Sequence, residues 1–332
     1  MRSSRAAVYQ SARLSRSRTG SQKTAVTQWR VMREWCEYVA VRTILKILGV
    51  LPRSFSRAFA AALARVLLAC SPRLQRVAMA NLSIAFPDWT DAQRWATIRG
   101  MARQLGWMAA EFANFPRLNP KNISEIVMRE GFEHFESARA RGNGVIFLTG
   151  HMSAWELAPC AQALYGQPLS FLARGIENKR VDALVNHYRC LSGNQPIEKN
   201  NSARAVLRVL SEGGTVGILA DQNTSVDEGV FVEFFGTPAC ATTGLARVAR
   251  HTGAAVLPGF LHWDASSRKY ILKFEPALLF QTTQAEEADI RANTALCARV
   301  IEDYIRSYPE QWFWLHKRWK NRPAGEPDLY SQ

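Results

Sequence analysis

Short apolar runs alternate with segments of helical periodicity from residue 144 onward. The apolar runs predict strands at 145–149, 169–173, 216–220, 255–261 and 270–274. Apolar positions three or four apart predict helices at about 178–191, 201–211, 242–252 and 286–307. Strands that alternate with helices in this way are typical of proteins in which crossover helices connect parallel strands. We therefore predict an α/β fold with a mixed, largely parallel central sheet flanked by helices.

The first of these strands leads directly into a histidine and a glutamate. After Thr149 and Gly150 the chain reads His-Met-Ser-Ala-Trp-Glu, which places His151 and Glu156 at a strand end. Ligands of open α/β sheets bind at the carboxyl ends of the strands. Histidine has an unperturbed pKa of about 6.5, and a carboxylate near its second ring nitrogen would fix the tautomer and stabilise the imidazolium. This stretch is therefore the first candidate active site, with Glu156 as the nearest carboxylate to the base.

Glu156 also has an ordinary structural explanation. Ser153 and Glu156 stand in the S-x-x-E spacing of a capping box, so the glutamate could serve only to cap the next helix. Pro159 complicates a helix that begins at Ala154, because its missing N–H would leave the Trp155 carbonyl without its usual donor. The motif G-x-S-x-G does not surround Ser153, so a serine hydrolase is not indicated. The residues alone leave catalysis and capping open.

The basic charge of the chain is concentrated at its N-terminus. The formal net charge is +14, of which residues 1–33 supply eight Lys/Arg without an acid and residues 34–80 supply seven against two acids. Residues 1–30 are predicted to be a basic disordered tail that lacks the apolar core of a signal peptide. A basic lead beside apolar helices suits an anionic membrane surface, at about 1 kcal/mol per Lys/Arg close to the lipid. A nucleic-acid partner is not expected, because an enzyme of that kind usually carries basic residues across its binding groove, whereas the basic excess here is N-terminal.

Residues 31–115 are predicted to form a helical region that docks on a membrane. Apolar side chains cover most of a helix at 35–48, a second helix is predicted at 55–70, and Thr90 with Gln93 indicates the start of a third, whose apolar stripe is predicted to be core. A run of about 18 apolar residues is absent, so we expect a helical hairpin that lies in the membrane interface. The arginines expected to face the headgroups are Arg53, Arg57 and Arg65. The alternative left open is that these helices simply pack on the core.

Length and composition allow a large buried core. The chain has 332 residues and 47% hydrophobic content, and we predict an α/β core at 116–325 with a short tail at 326–332. Its six cysteines are widely spaced without a C-x-x-C pair, which indicates neither a zinc site nor a disulfide framework and fits a reducing, cytosolic environment. The His/Glu pair brings no further ligands at metal-binding spacing, so neither a metal nor another cofactor is expected.

The stretch Thr149–Glu156 resembles the H-x4-[DE] signature of the glycerolipid acyltransferase superfamily. A tryptophan before the acid is typical of one branch, the late (lauroyl and myristoyl) acyltransferases of lipid A biosynthesis. Four more segments resemble that branch in the same order: Asn81–Pro87, Ile218–Asn223, Val232–Gly236 with Thr242–Gly244, and Pro309–Pro323. The resemblance covers roughly residues 35–325 and implies a fold like that of glycerol-3-phosphate acyltransferase. It also implies transfer of a fatty acyl chain from a thioester, typically acyl carrier protein, to a hydroxyl of a lipid A precursor at the cytoplasmic face of the inner membrane.

The resemblance assigns roles to individual residues. His151 would deprotonate the acceptor hydroxyl, Glu156 would orient the histidine, and backbone N–H groups after Gly150 are candidate oxyanion donors. The residues expected to bind substrate are Arg174, Arg189, Asp221 and Gln222. The two arginines match arginines of the family and the other two end a strand, although surface charge and loop capping are simpler explanations of the same residue types.

Two alternatives to a lipid A acyltransferase stay open. One is an acyltransferase that acts on another membrane lipid, such as a phospholipid, glycolipid or aminolipid, and uses acyl-CoA. The other is an inactive membrane-binding scaffold, against which the complete His/Glu pair stands. Near the C-terminus, tryptophans interleave with cations and are predicted either to meet lipid headgroups or to pack in the core. These tryptophans are Trp312, Trp314 and Trp319.

Overall fold

The computed structural model of the protein describes residues 29–173, 175–198 and 202–331. The predicted basic tail lies outside the described residues, except for 29 and 30, which belong to a helix. Arg174 also lies outside them. Within the described chain, four N-terminal helices precede an α/β core, and the predicted boundary at residue 115 falls between the fourth helix and the first strand.

A central sheet organises the α/β core. The strands are β1 Val127–Glu130, β2 Val145–Thr149, β3 Ser170–Ala173, β4 Gln195–Glu198, β5 Thr215–Leu219, β6 Gly229–Phe234, β7 Thr237–Thr242, β8 Ala255–Asp264 and β9 Lys269–Phe274. Seven of them form one sheet in the order β1-β9-β8-β2-β5-β3-β4, and β6 pairs with β7 in a separate hairpin. Within the large sheet only β8 and β9 pair antiparallel. The predicted mixed, largely parallel sheet is confirmed.

Helices cover the sheet and connect its strands. They are α1 at 29–50, α2 Arg53–Ala69, α3 Pro72–Ala85, α4 Asp91–Ala113, α5 Phe132–Arg139, α6 Leu157–Leu164, α7 Lys179–Cys190, α8 Ser202–Ser211, α9 Gly244–Thr252 and α10 Glu286–Ser307. The predicted helices of the α/β core are present with small shifts at their ends. α4 begins with the predicted capping box of Thr90 and Gln93, and it buries Ile98 and Met101 as core residues.

Two β elements carry no clear sequence signal, for identifiable reasons. β4 contains Pro196, and a proline usually argues against a strand because it has no N–H for the ladder. β4 is an edge strand, however, where a missing N–H is tolerated. β6 and β7 join through Phe235 and Gly236, which have φ values of 52° and 69°. Two positive φ values are typical of a type I′ hairpin turn, whose usual sequence is Asn-Gly or Asp-Gly. Because Phe235 occupies the first position, the sequence does not indicate this turn.

The charged side of α2 faces the protein, which corrects the expected orientation of two arginines. Arg53 Nε lies 3.0 Å and Arg57 Nε 2.5 Å from Glu111 Oε1 of α4, and Glu111 is buried. The Arg57 guanidinium also stacks on Trp263 at 4.5 Å from the ring centroid. A buried carboxylate needs such partners, because an unpaired charge in the interior is costly. Arg53 and Arg57 therefore join α2 to the core instead of facing headgroups, whereas Arg65 is exposed.

Large apolar side chains are exposed on the outer surface of α1 and α2, beside charged residues such as Arg42 and Lys46. On α1 the exposed residues Trp35, Val39 and Ile47 follow helical spacing, and on α2 Phe55 is 68% and Phe59 is 50% exposed. By length and composition, no single helix in the described part of the chain could cross a membrane, but α2 and α3, bent by 93° at their break, could do so together.

Candidate active site

The loop after β2 carries His151 and is held by the C-terminal segment, which we define as residues 309–322. Phe313 N donates to His151 O at 3.0 Å, and Ser153 N donates to Gln311 O at 2.6 Å. Ser153 has a φ of 50°, a left-handed conformation that is costly for a residue with a side chain. The flanking hydrogen bonds hold this strained turn in place.

Asp221 is the carboxylate that contacts His151. Its Oδ1 lies 2.8 Å from His151 Nδ1, and its Oδ2 accepts a second bond of 2.8 Å from the backbone N–H of His151. β5, which Asp221 follows, pairs in parallel with β2, so the two strands end side by side. Gly150 lets the two come close, because a Cβ there would lie only 3.2 Å from the Asp221 carboxylate, a tighter contact than usual. The ring is thereby fixed with Nε2 as the nitrogen left to exchange a proton.

Glu156 makes no hydrogen bond or ion pair with His151 in the described structure, so the carboxylate paired with the ring is Asp221 and not the expected Glu156. Its two carboxylate oxygens accept from Arg189 of α7, at 2.9 Å from Nε and 2.5 Å from Nη2. The reason is its position: Glu156 directly precedes α6 and is turned toward α7, while the end of β5 already lies against the histidine. The part of Glu156 in catalysis stays a prediction.

The capping explanation of Glu156 is also wrong. α6 begins at Leu157, and neither Ser153 nor Glu156 makes a side-chain capping bond to it. Ser153 Oγ instead lies 3.4 Å from Gln104 Oε1 of α4. Pro159 falls in the first turn of α6, where backbone N–H groups have no partner within the helix, so it costs no hydrogen bond.

The charges around His151 favour its protonated form. Burial lowers the pKa of His151, but the charge of Asp221 and the hydrogen bond to it outweigh burial, with a smaller contribution from Glu156, so the pKa is raised above 6.5. Burial raises the pKa of Asp221, but the charge of His151 and the bonds from His151 and Trp312 lower it to about 2. The aspartate is therefore ionised at neutral pH, as a partner of an imidazolium must be.

The C-terminal segment contributes further groups to the site. Trp312 Nε1 donates to Asp221 Oδ2 at 2.7 Å, and Asn223 N donates to His316 Nε2 at 3.0 Å. Asn81 Nδ2 donates to the carbonyls of residues 314 and 316, each at 2.7 Å, so two of the family-like segments meet here. The predicted tryptophans 312, 314 and 319 are all buried, so they pack in the core and do not meet headgroups. Sequence reasoning did not predict Trp312 as a partner of Asp221, because only the fold brings them together.

An apolar cavity of about 340 Å³ opens beside the histidine. Its lining includes Phe147, Gly217 and Gly259 from the sheet and Ala158 from α6, together with the His151 ring. Glu156 and Arg189 are among its polar lining groups. The volume falls in the range of small-molecule sites, about 300–1,000 Å³. The cavity can hold an apolar chain whose reactive end lies at the histidine.

The remaining predicted site residues are placed as follows. Gln222 Nε2 lies 3.4 Å from both ring nitrogens of His151, which is longer than a usual hydrogen bond. The expected oxyanion donors are engaged within the protein: the amides of 151, 152 and 153 donate to Asp221 Oδ2, Gly150 O and Gln311 O. Within residues 29–173, 175–198 and 202–331, no three His, Cys, Asp or Glu side chains are arranged to hold a metal ion.

We expect the substitution Asp221→Asn to lower the pKa of His151 below 6.5, whereas the unaltered protein titrates above it. Asparagine keeps the size of the side chain but removes its charge, so the lowering effect of burial then prevails. NMR titration of the histidine ring carbons, with His151 assigned by substitution, measures both values. Asp289→Asn is the matched control, because Asp289 is also buried and pairs with Arg250 at 2.6 Å. Equal titration of His151 in Asp221→Asn and in the unaltered protein would contradict the pairing.

Comparison with known proteins identifies the family. The family described as bacterial lipid A biosynthesis acyltransferase matches residues 23–321. The lipid A biosynthesis acyltransferase of Haemophilus influenzae is 28% identical over 257 residues, which cover 76% of this chain and 78% of that protein. The lipid A biosynthesis myristoyltransferase of Escherichia coli K12 is 25% identical over 300 residues, which cover 90% of this chain and 91% of that protein.

A solved structure is similar at a lower level. The crystal structure of the 1-acyl-sn-glycerophosphate acyltransferase PlsC from Thermotoga maritima covers 79% of this chain and all of its own, at 15% identity and a TM-score of 0.37. The family match spans nearly the whole described chain, including the His151 loop, Asp221 and most of the C-terminal segment. The chain belongs to the bacterial lipid A biosynthesis acyltransferase family.

Proposed function

We propose that this protein transfers a fatty acyl chain from acyl carrier protein to a hydroxyl of a lipid A precursor. The observation that carries the proposal is a histidine base, held by a buried aspartate, in the wall of an apolar cavity. Membership of an acyltransferase family supports the reaction class, and the names of the relatives support lipid A as the acceptor.

His151 acts as the general base in this proposal. Its Nε2 accepts the proton of the acceptor hydroxyl while the oxygen attacks the thioester carbonyl and forms the new ester bond. The C–S bond then breaks, and the proton on His151 passes to the departing thiolate, so the histidine returns to its neutral form. Asp221 stabilises the transient imidazolium through Nδ1. General-base assistance of this kind contributes about 10²- to 10⁴-fold to the rate.

The Glu156–Arg189 pair has a separate task in this proposal. Both side chains line the cavity that holds His151. The pair uses Nε and Nη2 of the guanidinium, and Nη1 makes no hydrogen bond to the described residues, so we assign it to an oxygen of the donor or acceptor. A bidentate carboxylate fixes the plane of the arginine, so that Nη1 is presented in a defined direction. We place Arg189 as a substrate-binding residue and Glu156 as the residue that orients it, with Gln222 and Arg174 as further proposed binding residues.

The exposed face of α1 and α2 supports a membrane location. It exposes several large apolar side chains together with the basic residues Arg42, Lys46 and Arg65, whereas the arginines of α2 that contact Glu111 point inward. An ordinary surface helix has the reverse arrangement, with its apolar stripe toward the core. We propose that this face rests in the cytoplasmic leaflet of the inner membrane, where the acceptor lipid resides, and that the basic N-terminus adds attraction to anionic lipid.

We expect His151→Ala to lower the rate of acyl transfer by at least about 10²-fold, because the base is lost. The assay uses purified protein, acyl carrier protein loaded with a fatty acid, and a lipid A precursor, with products read by mass spectrometry. His251→Ala, at an exposed histidine of α9, is the control and should keep full activity. Full activity of a folded His151→Ala protein would refute the mechanism.

A parallel measurement decides the acceptor. Lipids from a deletion strain should contain lipid A that lacks one acyl chain, with phospholipids unchanged. Unchanged lipid A with an altered phospholipid or glycolipid would instead support the acyltransferase of another membrane lipid. Acyl-CoA in place of the acyl carrier protein tests the donor in the same assay.

We expect Gly217→Ala to shift donor preference toward shorter acyl chains. A Cβ at Gly217 lies 3.5 Å from Leu169 Cδ1, an ordinary contact, so the methyl fits and takes up cavity volume. Each methylene excluded from the cavity costs about 0.8 kcal/mol, or about fourfold in kcat/KM. A panel of carrier-bound acyl chains measures the shift, and Gly244→Ala, at an exposed glycine, is the control. An unchanged chain-length profile would show that this cavity does not hold the acyl chain.

We expect the double substitution of Phe55 and Phe59 by glutamate to reduce binding to anionic phospholipid vesicles by at least about tenfold. Two exposed phenyl rings then no longer enter the lipid, at about 1.5–3 kcal/mol each. Co-sedimentation with vesicles measures the effect. Leu279→Glu is the matched control, because Leu279 is 89% exposed and lies outside the N-terminal helices. Equal vesicle binding by the double variant would contradict the proposed membrane face.

A further inference from the structure

Trp312 lies beside the Asp221 carboxylate, which in turn contacts His151. The residues on either side of it, Gln311 and Phe313, bond the backbone of Ser153 and His151. Trp312 itself forms an antiparallel bridge with Met152. The C-terminal segment therefore runs antiparallel beside the His151 loop, and the Trp312 indole reaches Asp221.

The indole N–H completes the set of donors around Asp221. Oδ2 accepts from the backbone N–H of His151 at 2.8 Å and from Trp312 Nε1 at 2.7 Å, and Oδ1 accepts from the histidine ring. Asp221 is 1% and Trp312 is 2% exposed, so water does not replace either partner. With two donors on Oδ2, the carboxylate cannot rotate, and Oδ1 stays aligned on His151 Nδ1.

Packing alone does not explain the polar atom of this tryptophan. Trp314 and Trp319 are equally buried in the same segment, and their N–H groups donate to the main-chain carbonyls of Pro309 and Thr237. Those two satisfy an indole N–H without involving the site. Of the three tryptophans, only Trp312 donates its N–H to Asp221, the ionised partner of His151.

We propose that Trp312 is a positioning residue for acyl transfer: its indole N–H holds the Asp221 carboxylate in line with His151. The inference rests on the proposed function. Trp312 is not part of the cavity lining, so it acts through Asp221 and not by contact with substrate. Loss of the N–H leaves Oδ2 with one donor instead of two, so the carboxylate is held less tightly; its Oδ1 still pairs with the ring, and more of its negative charge acts on His151.

The expected pH effect has a definite sign. Other charged and titratable groups also act on Asp221 or His151. They are Glu156, which pairs with Arg189 of α7, and His316 and Arg318 of the C-terminal segment. A phenylalanine at 312 leaves all of these in place. Without the Trp312 N–H, more of the negative charge of Asp221 acts on His151, so the pKa of His151 rises. The low-pH side of the kcat/KM profile, where His151 becomes protonated and inactive as a base, then moves to higher pH.

The experiment compares Trp312→Phe with Trp319→Phe, which removes a buried indole N–H that does not contact Asp221. Acyl transfer from carrier protein to a lipid A precursor gives kcat, KM and the pH profile, and thermal unfolding reports the fold. For Trp312→Phe we expect kcat to fall about 10- to 100-fold with KM nearly unchanged, and the acid limb to move to higher pH. For Trp319→Phe we expect the low-pH side of the kcat/KM profile to stay in place, even if the temperature of thermal unfolding falls.

A second variant keeps the test decisive if Trp312→Phe does not fold. Incorporation of β-(3-benzothienyl)alanine at position 312 keeps the shape of the ring and replaces only the N–H by sulfur. An acid limb that stays in place or moves to lower pH in a folded Trp312 variant overturns the proposal. NMR titration of His151 in the same variants separates this outcome from failure of the proposed function: a protein without acyl transfer still shows whether the His151 pKa rises when the N–H is removed.

Discussion

The Asp221 carboxylate connects the parts of the structure on which the site depends. It follows β5, it accepts from the backbone and the ring of His151 after β2, and it accepts from Trp312 of the C-terminal segment. A buried carboxylate without donors would be neutral or would destabilise the fold, so these three bonds also keep it charged. The same constraint explains Gly150, since any side chain there would meet the carboxylate.

The site separates into two ion pairs with different surroundings. The His151–Asp221 pair is backed by the buried tryptophans of the C-terminal segment, and its charge is balanced within the protein. The Glu156–Arg189 pair is more accessible and lies among the lining groups of the cavity. A glutamate five residues after the histidine is thus compatible with a role in substrate binding through Arg189, while the second ring nitrogen of the histidine is served by another strand.

α2 departs from the usual amphipathic arrangement of a surface helix. Arg57 of α2 is covered by aromatic rings and pairs with the buried Glu111, while phenylalanines of the same helix are exposed. Charged groups can lie inside because they meet a partner, and apolar groups can lie outside at low cost only if something other than water covers them. The proposed lipid surface is such a covering, and it would bring the cavity to the level of its substrates.

The sequence by itself determined the succession of strands and helices, the candidate base His151, the strand-end position of Asp221 and the family. Local periodicity and residue type encode these features within short stretches of chain. Only the tertiary structure decided which carboxylate serves the histidine, because strand order in the sheet brings residues 151 and 221 together and turns Glu156 toward α7. The tertiary structure also determined the hairpin turn at Phe235, the inward orientation of the α2 arginines, and the contact between Trp312 and Asp221. Each of these depends on contacts between residues far apart in the chain, which no local pattern records.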